Sequence, residues 1–524
     1  MSADRPTFQP TRRLPAGAMA LALGMVVLVS APLFAAAAAS VPIGAAAPLP
    51  PDIAAPQPLA PPPGPPQNPG DPELQALLYD ADVPVIAGER LRHPGLVRQF
   101  YAEHGNEPFW SSHPRQATAL IGAVLRAEDQ GLDPRLFHAG ALFGRGIPLS
   151  AVARDVLTTD AILSYADALA EGAVPRRQRP PNEALHPVPI DVVAAVDRAI
   201  AAPDPARVIT ALAPSSPEYQ AMRRAYLRYR ALAAGAERAP DMSGARYDRY
   251  GDALYPPYYA RYRREEGYGP VDPWLAQRRA RQLAVALERL RWLPRHMPPD
   301  RIIVNVATQR LHLFEDDRPV FTTKVVVGEP TWQTPEFHAT IDDVLFNPPW
   351  NIPPDILRKE ILPKLARDPG YLARHHMRWI GPQLVQQQAG PYSALGRLKF
   401  EMSDPYEVYL HDTPEKYLFR LANRMKSHGC VRVEYPQELA ALILHESPYA
   451  IARNIAERRT HAQALPQPLD VYIVYQTVSL SPSGALEFHA DPYHRDDEIW
   501  QLLNPAEALS ADRDNGLYAQ RVMQ

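Results

Sequence analysis

The chain has 524 residues and a formal net charge of −3, from 55 Lys+Arg against 58 Asp+Glu. So balanced a charge excludes nucleic acid as a main partner, and the length predicts two or three domains. Two counts stand out: 60 prolines, more than twice the usual share of about 5%, and one cysteine.

In chain order, Arg5, Arg12 and Arg13 precede an apolar run from Pro15 to Ala39 that ends in small residues. Residues 1–39 therefore read as a signal peptide or an N-terminal anchor, with the remainder exported to the periplasm. Residues 40–72, rich in Pro, Ala and Gly, read as a semi-rigid linker.

From 73 to 235 the signals are helical. Ala117, Leu120, Ile121, Val124 and Leu125 recur at helical spacing after Pro114, with Gly131 beyond. Ala151 to Glu171 repeats the pattern and is closed by Gly172, and Pro217 to Ala234 gives a third helix. This module reads as all-α, without a titratable cluster. Residues 236–272 interleave tyrosines such as Tyr258, Tyr259 and Tyr262 with arginines such as Arg261, Arg263 and Arg264. Such a strip can stack on sugars and pair carboxylates, but it lacks apolar periodicity and reads as a linker. Trp274 to Leu293 is one further helix, and 236–298 is taken as linker plus connecting helix.

Beyond residue 299 the period changes. Short β-branched runs at 302–306, 311–314, 324–328, 344–346, 408–410 and 471–475 predict strands, and Gln437 to Leu444 predicts a helix. The segment 351–399 is an insertion with helical character over Asp355 to Arg367. Residues 481–524 read as a C-terminal extension, polar beyond about 500.

Cys430 lies in Ser427-His428-Gly429-Cys430-Val431-Arg432, nineteen residues after His411 of Tyr409-Leu410-His411-Asp412-Thr413. An unpaired cysteine in an exported chain marks a reactive thiol or an intermolecular bridge. The plain alternative is a buried, inert cysteine. Nearby positive charge favours the reactive thiolate, an imidazole can take its proton, and consecutive backbone N–H groups can hold an oxyanion. His375-His376 and His489 with His494 carry no zinc-ligand spacing, so neither a metal nor any other cofactor is expected.

These residues resemble the active-site signature of the L,D-transpeptidase (YkuD) family. Tyr409–Pro414 and Phe346–Pro354 are similar to its YcbB-type branch, and Phe109-Trp110 with Gly131–Pro134 resembles that branch's scaffold domain. The resemblance implies an α+β protein: an N-terminal all-α scaffold domain (73–235), then a β-rich YkuD-like catalytic domain (299–480) whose insertion forms a lid. It implies Cys430 as nucleophile and His411 as base, with His428 the rival base. Oxyanion or supporting roles fall to His428, Gly429, Ser427, Arg432 and Tyr409. The implied substrates are peptidoglycan stem peptides: a tetrapeptide donor that loses its terminal D-alanine, and a diamino-acid amine as acceptor, giving a 3–3 cross-link. Carbapenems are implied as covalent inhibitors, and other cell-wall enzymes as partners. The same site would serve an L,D-carboxypeptidase or a lipoprotein-anchoring transpeptidase. A non-catalytic cell-wall scaffold is the reading from another class.

Overall fold

The computed structural model describes residues 70–234 and 272–504, except 145–146, 181–182, 186, 405 and 482–483, together with a backbone pair of β3 (Arg246–Tyr247) and β4 (Ala253–Leu254). The export segment, the proline-rich linker up to residue 69, most of the Tyr/Arg strip and the last twenty residues lie outside the described residues.

The first body is helical. It comprises α1 (Pro72–Tyr79), a β1–β2 hairpin (Val85–Ile86, Glu89–Arg90), α2 (Pro94–Glu103), α3 (Pro114–Leu125), α4 (Ala139–Phe143), α5 (Ala151–Glu171), α6 (Val192–Ala201), α7 (Pro205–Thr210), α8 (Pro217–Ala234) and α9 (Pro273–Trp292). Ser150 caps α5 by accepting from the Ala153 N–H, and α5 is buried along nearly its whole length. It ends at Gly172, whose φ is 101° and where a Cβ would sit 2.6 Å from the Trp292 indole nitrogen. Only glycine fits that approach.

Two assignments need correction. The helix read as a connector, α9, buries Leu283, Ala284, Val285, Leu287 and Trp292 in the helical core. The C-terminal extension returns to that core as well. Val478 of β17 (Val478–Leu480), paired with β18 (Leu486–Phe488), joins it, as do Ile499 and Leu503 of α15 (Arg495–Leu503).

The helical module also carries the titratable groups that its sequence conceals. His138, 2% exposed, holds Asp160 at 2.6 Å and Glu89 at 3.1 Å, while Asp160 accepts from the backbone N–H groups of Arg92 and His93. Burial pulls the His138 pKa down, but Asp160 and Glu89 outweigh it and the net shift is upward. These partners are far apart in sequence, so no local pattern announces them.

A second buried pair lies where the helical body meets the catalytic one. Ala184 N–H donates to Glu336 O, Arg179 pairs with Glu183 at 3.5 Å, and Arg495 pairs with Glu336 at 2.5 Å. Burial and then the neighbouring Glu336 push the Glu183 carboxyl up to about 8, against the pull of Arg179. A carboxyl that binds its proton more tightly when folded contributes full stability below its unfolded value near 4.5, and loses it as pH rises toward 8. Glu183→Gln is therefore expected to raise the melting temperature more at pH 8 than at pH 5. Thermal melts at the two pH values check this, and an equal change at both would contradict it.

The second body is a nine-stranded sheet ordered β14-β7-β15-β13-β12-β8-β16-β5-β6, with β6 pairing again to β7 so that the sheet closes. The strands are β5 (Arg301–Asn305), β6 (Arg310–Glu315), β7 (Arg318–Gly328), β8 (Phe337–Phe346), β12 (Leu398–Met402), β13 (Leu410–His411), β14 (Met425–Ser427), β15 (Val431–Val433) and β16 (His461–Val474). Inward residues such as Ile302, Val304, Leu311, Phe346, Phe400, Leu410 and Val431 fill the interior, with Leu439 and Ile443 of α13 (Pro436–Ile443) and Ile451 of α14 (Pro448–Ala456). The β8–β16 register shifts between Ala464 and Leu469, where Pro466 and Pro468 cannot donate to the ladder.

The insertion folds separately. β9 (Trp350–Asn351), β10 (Met377–Gly381) and β11 (Leu384–Gln387) form a three-stranded sheet. Helical segments α10 (Pro354–Ile356), α11 (Leu362–Arg367) and α12 (Tyr371–Arg374) cover it, around Ile352, Ile356, Leu357, Ile361, Leu372 and Val385. The whole is an α+β protein, helical first and β-rich second.

Candidate active site

Strands β13 and β15 run parallel, with Leu410 level with Val431 and His411 level with Arg432. Side chains alternate along a strand. Leu410 and Val431 therefore point into the core, which leaves Tyr409, His411, Cys430 and Arg432 on the opposite face of neighbouring strands. The two residues singled out as nucleophile and base are diagonal neighbours on that face.

His411 is 4% exposed, and its Nδ1 lies 2.6 Å from the Asp412 carbonyl oxygen. That carbonyl can only accept, so Nδ1 carries the proton and Nε2 is left as the acceptor. Burial, and next the Arg432 guanidinium, push the His411 pKa down to about 3. The ring is a neutral imidazole at physiological pH.

Asp412, which sequence reasoning left without a role, holds this segment. Its carboxylate accepts from Thr413 N–H at 2.7 Å, Arg397 N–H at 2.8 Å and Lys416 Nζ at 2.6 Å. Nothing in the local pattern separates it from an ordinary acid beside a histidine, because Arg397 lies on another strand end.

Around the thiol the positive charge comes from Lys399 rather than from Arg432. Arg432 pairs with Glu415 at 2.5 Å and bears on His411 instead. Burial pushes the Cys430 thiol up, and the Tyr409 backbone, the Tyr409 hydroxyl and Lys399 oppose it only in part. The Lys399 ammonium sits 4.2 Å from the centre of the Tyr409 ring. Cys430 itself is partly accessible, with its sulfur 3.9 Å from the Glu407 carbonyl. Among the described residues no hydrogen bond joins the thiol to His411. The resting state is thus a neutral thiol beside a neutral imidazole.

That state predicts how the thiol reacts. Its alkylation rate with iodoacetamide is expected to climb still between pH 8 and pH 9.5, with no inflection near 6.5. A plateau already reached at pH 6 would signal a preformed thiolate–imidazolium pair and contradict the assignment.

The loop before Cys430 is pinned at several points. Ser427 Oγ donates to Cys430 O at 2.6 Å and accepts from Gly429 N–H at 3.2 Å. Gly429 has a φ of 112°, which favours glycine there. Because its amide is engaged by Ser427, the amides of His428 and Cys430 are left as the candidate donors. Thr334, fully buried, donates its hydroxyl to Gly429 O at 2.7 Å and accepts from Gly328 N–H at 2.9 Å. Tyr493 donates to Gly328 O at 2.6 Å and accepts from Thr334 N–H at 3.2 Å. Sequence reasoning missed both residues, since they reach the loop from distant parts of the chain.

His428, the rival base, is engaged by other groups. Its ring is bound to Glu360 of the insertion and packs edge-on to Trp332 at 5.3 Å. Lys359 lies 4.3 Å from the centre of that same indole. Lys359 and Glu360 sit in a π-helical turn, Leu357–Ile361, a distortion found often at functional sites. The insertion thus lies on the nucleophile loop. Trp350 at its foot bears on the Tyr409 hydroxyl. Elsewhere, His376 stacks on Tyr392 and His489 bonds Ser479 at 2.8 Å.

The sheet thus carries a histidine and the chain's one cysteine on neighbouring strands, the elements of a cysteine nucleophile site. Residues 299–451 match the model of the L,D-transpeptidase catalytic domain, YkuD, and residues 95–225 match the scaffold domain. Over residues 299–451 the chain carries a catalytic domain of the YkuD L,D-transpeptidase family. A curated L,D-transpeptidase homologue from Haemophilus influenzae is 31% identical over 241 residues, which cover 42% of this chain and 48% of that protein. This chain therefore spans about half the length of that curated relative. Two solved structures are similar at a TM-score of 0.20. One is an L,D-transpeptidase from Mycobacterium smegmatis, 12% identical over 34% of this chain and 58% of that one. The other is the catalytic domain of an E. faecium L,D-transpeptidase acylated by ertapenem, 14% identical over 34% of this chain and 99% of that one. At these TM-scores the likeness adds nothing to the two domain matches.

Proposed function

We propose that this chain is an exported peptidoglycan L,D-transpeptidase that forms 3–3 cross-links between stem peptides through a Cys430 thioester. The observation that carries the reading is the parallel β13–β15 register, by which His411 and Cys430 are diagonal neighbours on one face.

The Cys430 sulfur attacks the carbonyl carbon before the terminal D-alanine of a tetrapeptide donor. As the S–C bond forms, the thiol proton passes to His411 Nε2, and the amides of His428 and Cys430 take the charge that develops on oxygen. The C–N bond then breaks, and D-alanine leaves with the proton that His411 returns to its nitrogen. An acceptor amine next loses a proton to His411 and attacks the thioester. The new amide forms and the thiol is regenerated. Because thiol and imidazole rest neutral, the proton moves during attack rather than beforehand.

The insertion favours transfer over hydrolysis. A lid with its own core, fastened to the nucleophile loop through Glu360 and His428, would limit water at the thioester. That supports a transpeptidase over an L,D-carboxypeptidase. The periplasm is the compartment that this substrate requires, and carbapenems would acylate the same sulfur. Incubating the protein with a carbapenem and reading its mass tests the thioester step. One adduct per chain on Cys430 is expected, and an unmodified thiol would remove the chemical basis of the proposal.

A further inference from the structure

A cavity of about 390 Å³ opens in the helical body, far in sequence from the histidine–cysteine pair. Three arginines line it: Arg126 just past α3, Arg207 on α7 and Arg223 on α8. Among the described residues none of the three forms an ion pair, and Arg223 spends only its Nε, on the Asp129 carbonyl at 3.0 Å. Surface arginines alone would mean little. The wall behind them is different.

Tyr165 of α5 lines the same cavity, is 1% exposed overall, and makes no hydrogen bond among the described residues. A buried phenol normally finds a partner. Arg291, Tyr219, Asp129 and Arg223 act on its hydroxyl electrostatically, and the last two line the cavity with it. The cavity thus brings together a tyrosine that makes no hydrogen bond among the described residues and three guanidiniums. One carboxylate, Asp129, is set among them. A guanidinium matches a carboxylate with two parallel N–H donors. Asp129 adds a place for a cation next to that anion.

We infer that this cavity is a second binding site, for a peptide that ends in a free amino-acid group, with its carboxylate on the arginines and Tyr165 and an ammonium against Asp129. The inference deepens the peptidoglycan reading and rests on it for the source of the peptide. Stem peptides carry both groups, so the helical body would hold one strand while the catalytic body works on another.

The test uses the full chain carrying Cys430→Ala, so that no turnover occurs, and titrates it by calorimetry with a diamino-acid tetrapeptide, with the C-terminal amide of that peptide, and with inorganic phosphate. The acid is expected to bind with the cavity intact. Arg207→Gln or Tyr165→Phe should weaken it, the arginine change by about tenfold, the loss of one charge-assisted contact. The amide should bind worse than the acid by a similar factor. Arg207 is exposed, so its replacement leaves the fold in place and an unchanged melting curve verifies that. Peptide affinity equal in all variants would place binding elsewhere and overturn the site. Phosphate bound in preference to the peptide would overturn the ligand class. In the chain with Cys430 restored, Arg207→Gln should leave carbapenem acylation unchanged. Should the carbapenem fail to acylate while Arg207-dependent peptide binding persists, the catalytic reading falls and the cavity stands.

Discussion

His411→Ala is expected to slow acylation of Cys430 by about 10²–10⁴-fold, the usual contribution of a positioned general base. The argument rests on where the proton must go. Cys430 rests as a thiol because burial disfavours its thiolate, so the sulfur needs an acceptor at the moment it attacks. His411 offers Nε2, since its Nδ1 proton is committed to the Asp412 carbonyl, and a ring held neutral by burial is ready to receive. His428 is tied to Glu360 and flanked by Trp332, so His428→Ala should stay within about tenfold of the parent. Single-turnover acylation by a carbapenem, followed by mass or absorbance, measures both. The reverse order of effects would exchange the two assignments.

Asp412→Ala should cost about 2–4 kcal/mol of stability and most of the activity together. Three donors converge on this carboxylate, the amides of Arg397 and Thr413 and the Lys416 ammonium, and the first two sit in buried backbone. Alanine leaves them without an acceptor. It also frees the turn whose carbonyl sets the His411 tautomer. Asp412→Asn keeps one oxygen and should recover part of the stability but less of the activity, because the amide nitrogen would face one of the donors. Denaturant unfolding and acylation rates, measured on both variants, separate the two effects. Full activity in a destabilised Asp412→Ala would show that the tautomer does not depend on this anchor.

Legibility varied with the range of the interactions involved. Helix α5 could be read to the residue, because its start and stop are local: a serine cap at 150 and a glycine at 172 that admits the Trp292 indole. The nucleophile loop was legible for the same reason, as its chemistry lies in six consecutive residues. Strand β16 was seen only in its last part, since Pro466 and Pro468 argue against a strand and a bulge is what accommodates them. Helix α15 is short and charged at its start, and only its burial of Ile499 and Leu503 against the helical body reveals that it belongs to a core. The environment of the thiol was the least legible. Arg432 stands two residues from Cys430 and on the same face, yet it is level with His411 and paired with Glu415, so its charge bears on His411. Thr334 and Tyr493 support Gly429 from far along the sequence, and no spacing rule reaches that distance.

The central claim is that Cys430 carries an acyl group from one stem peptide to another. The most direct measurement incubates the protein, and Cys430→Ala beside it, with disaccharide-tetrapeptides and reads the products by mass spectrometry. A cross-linked dimer lighter than two substrate molecules by one D-alanine, formed by the parent and absent with the variant, is the predicted result. Dimer formed equally by Cys430→Ala, or no product and no thioester from the parent, would contradict the account.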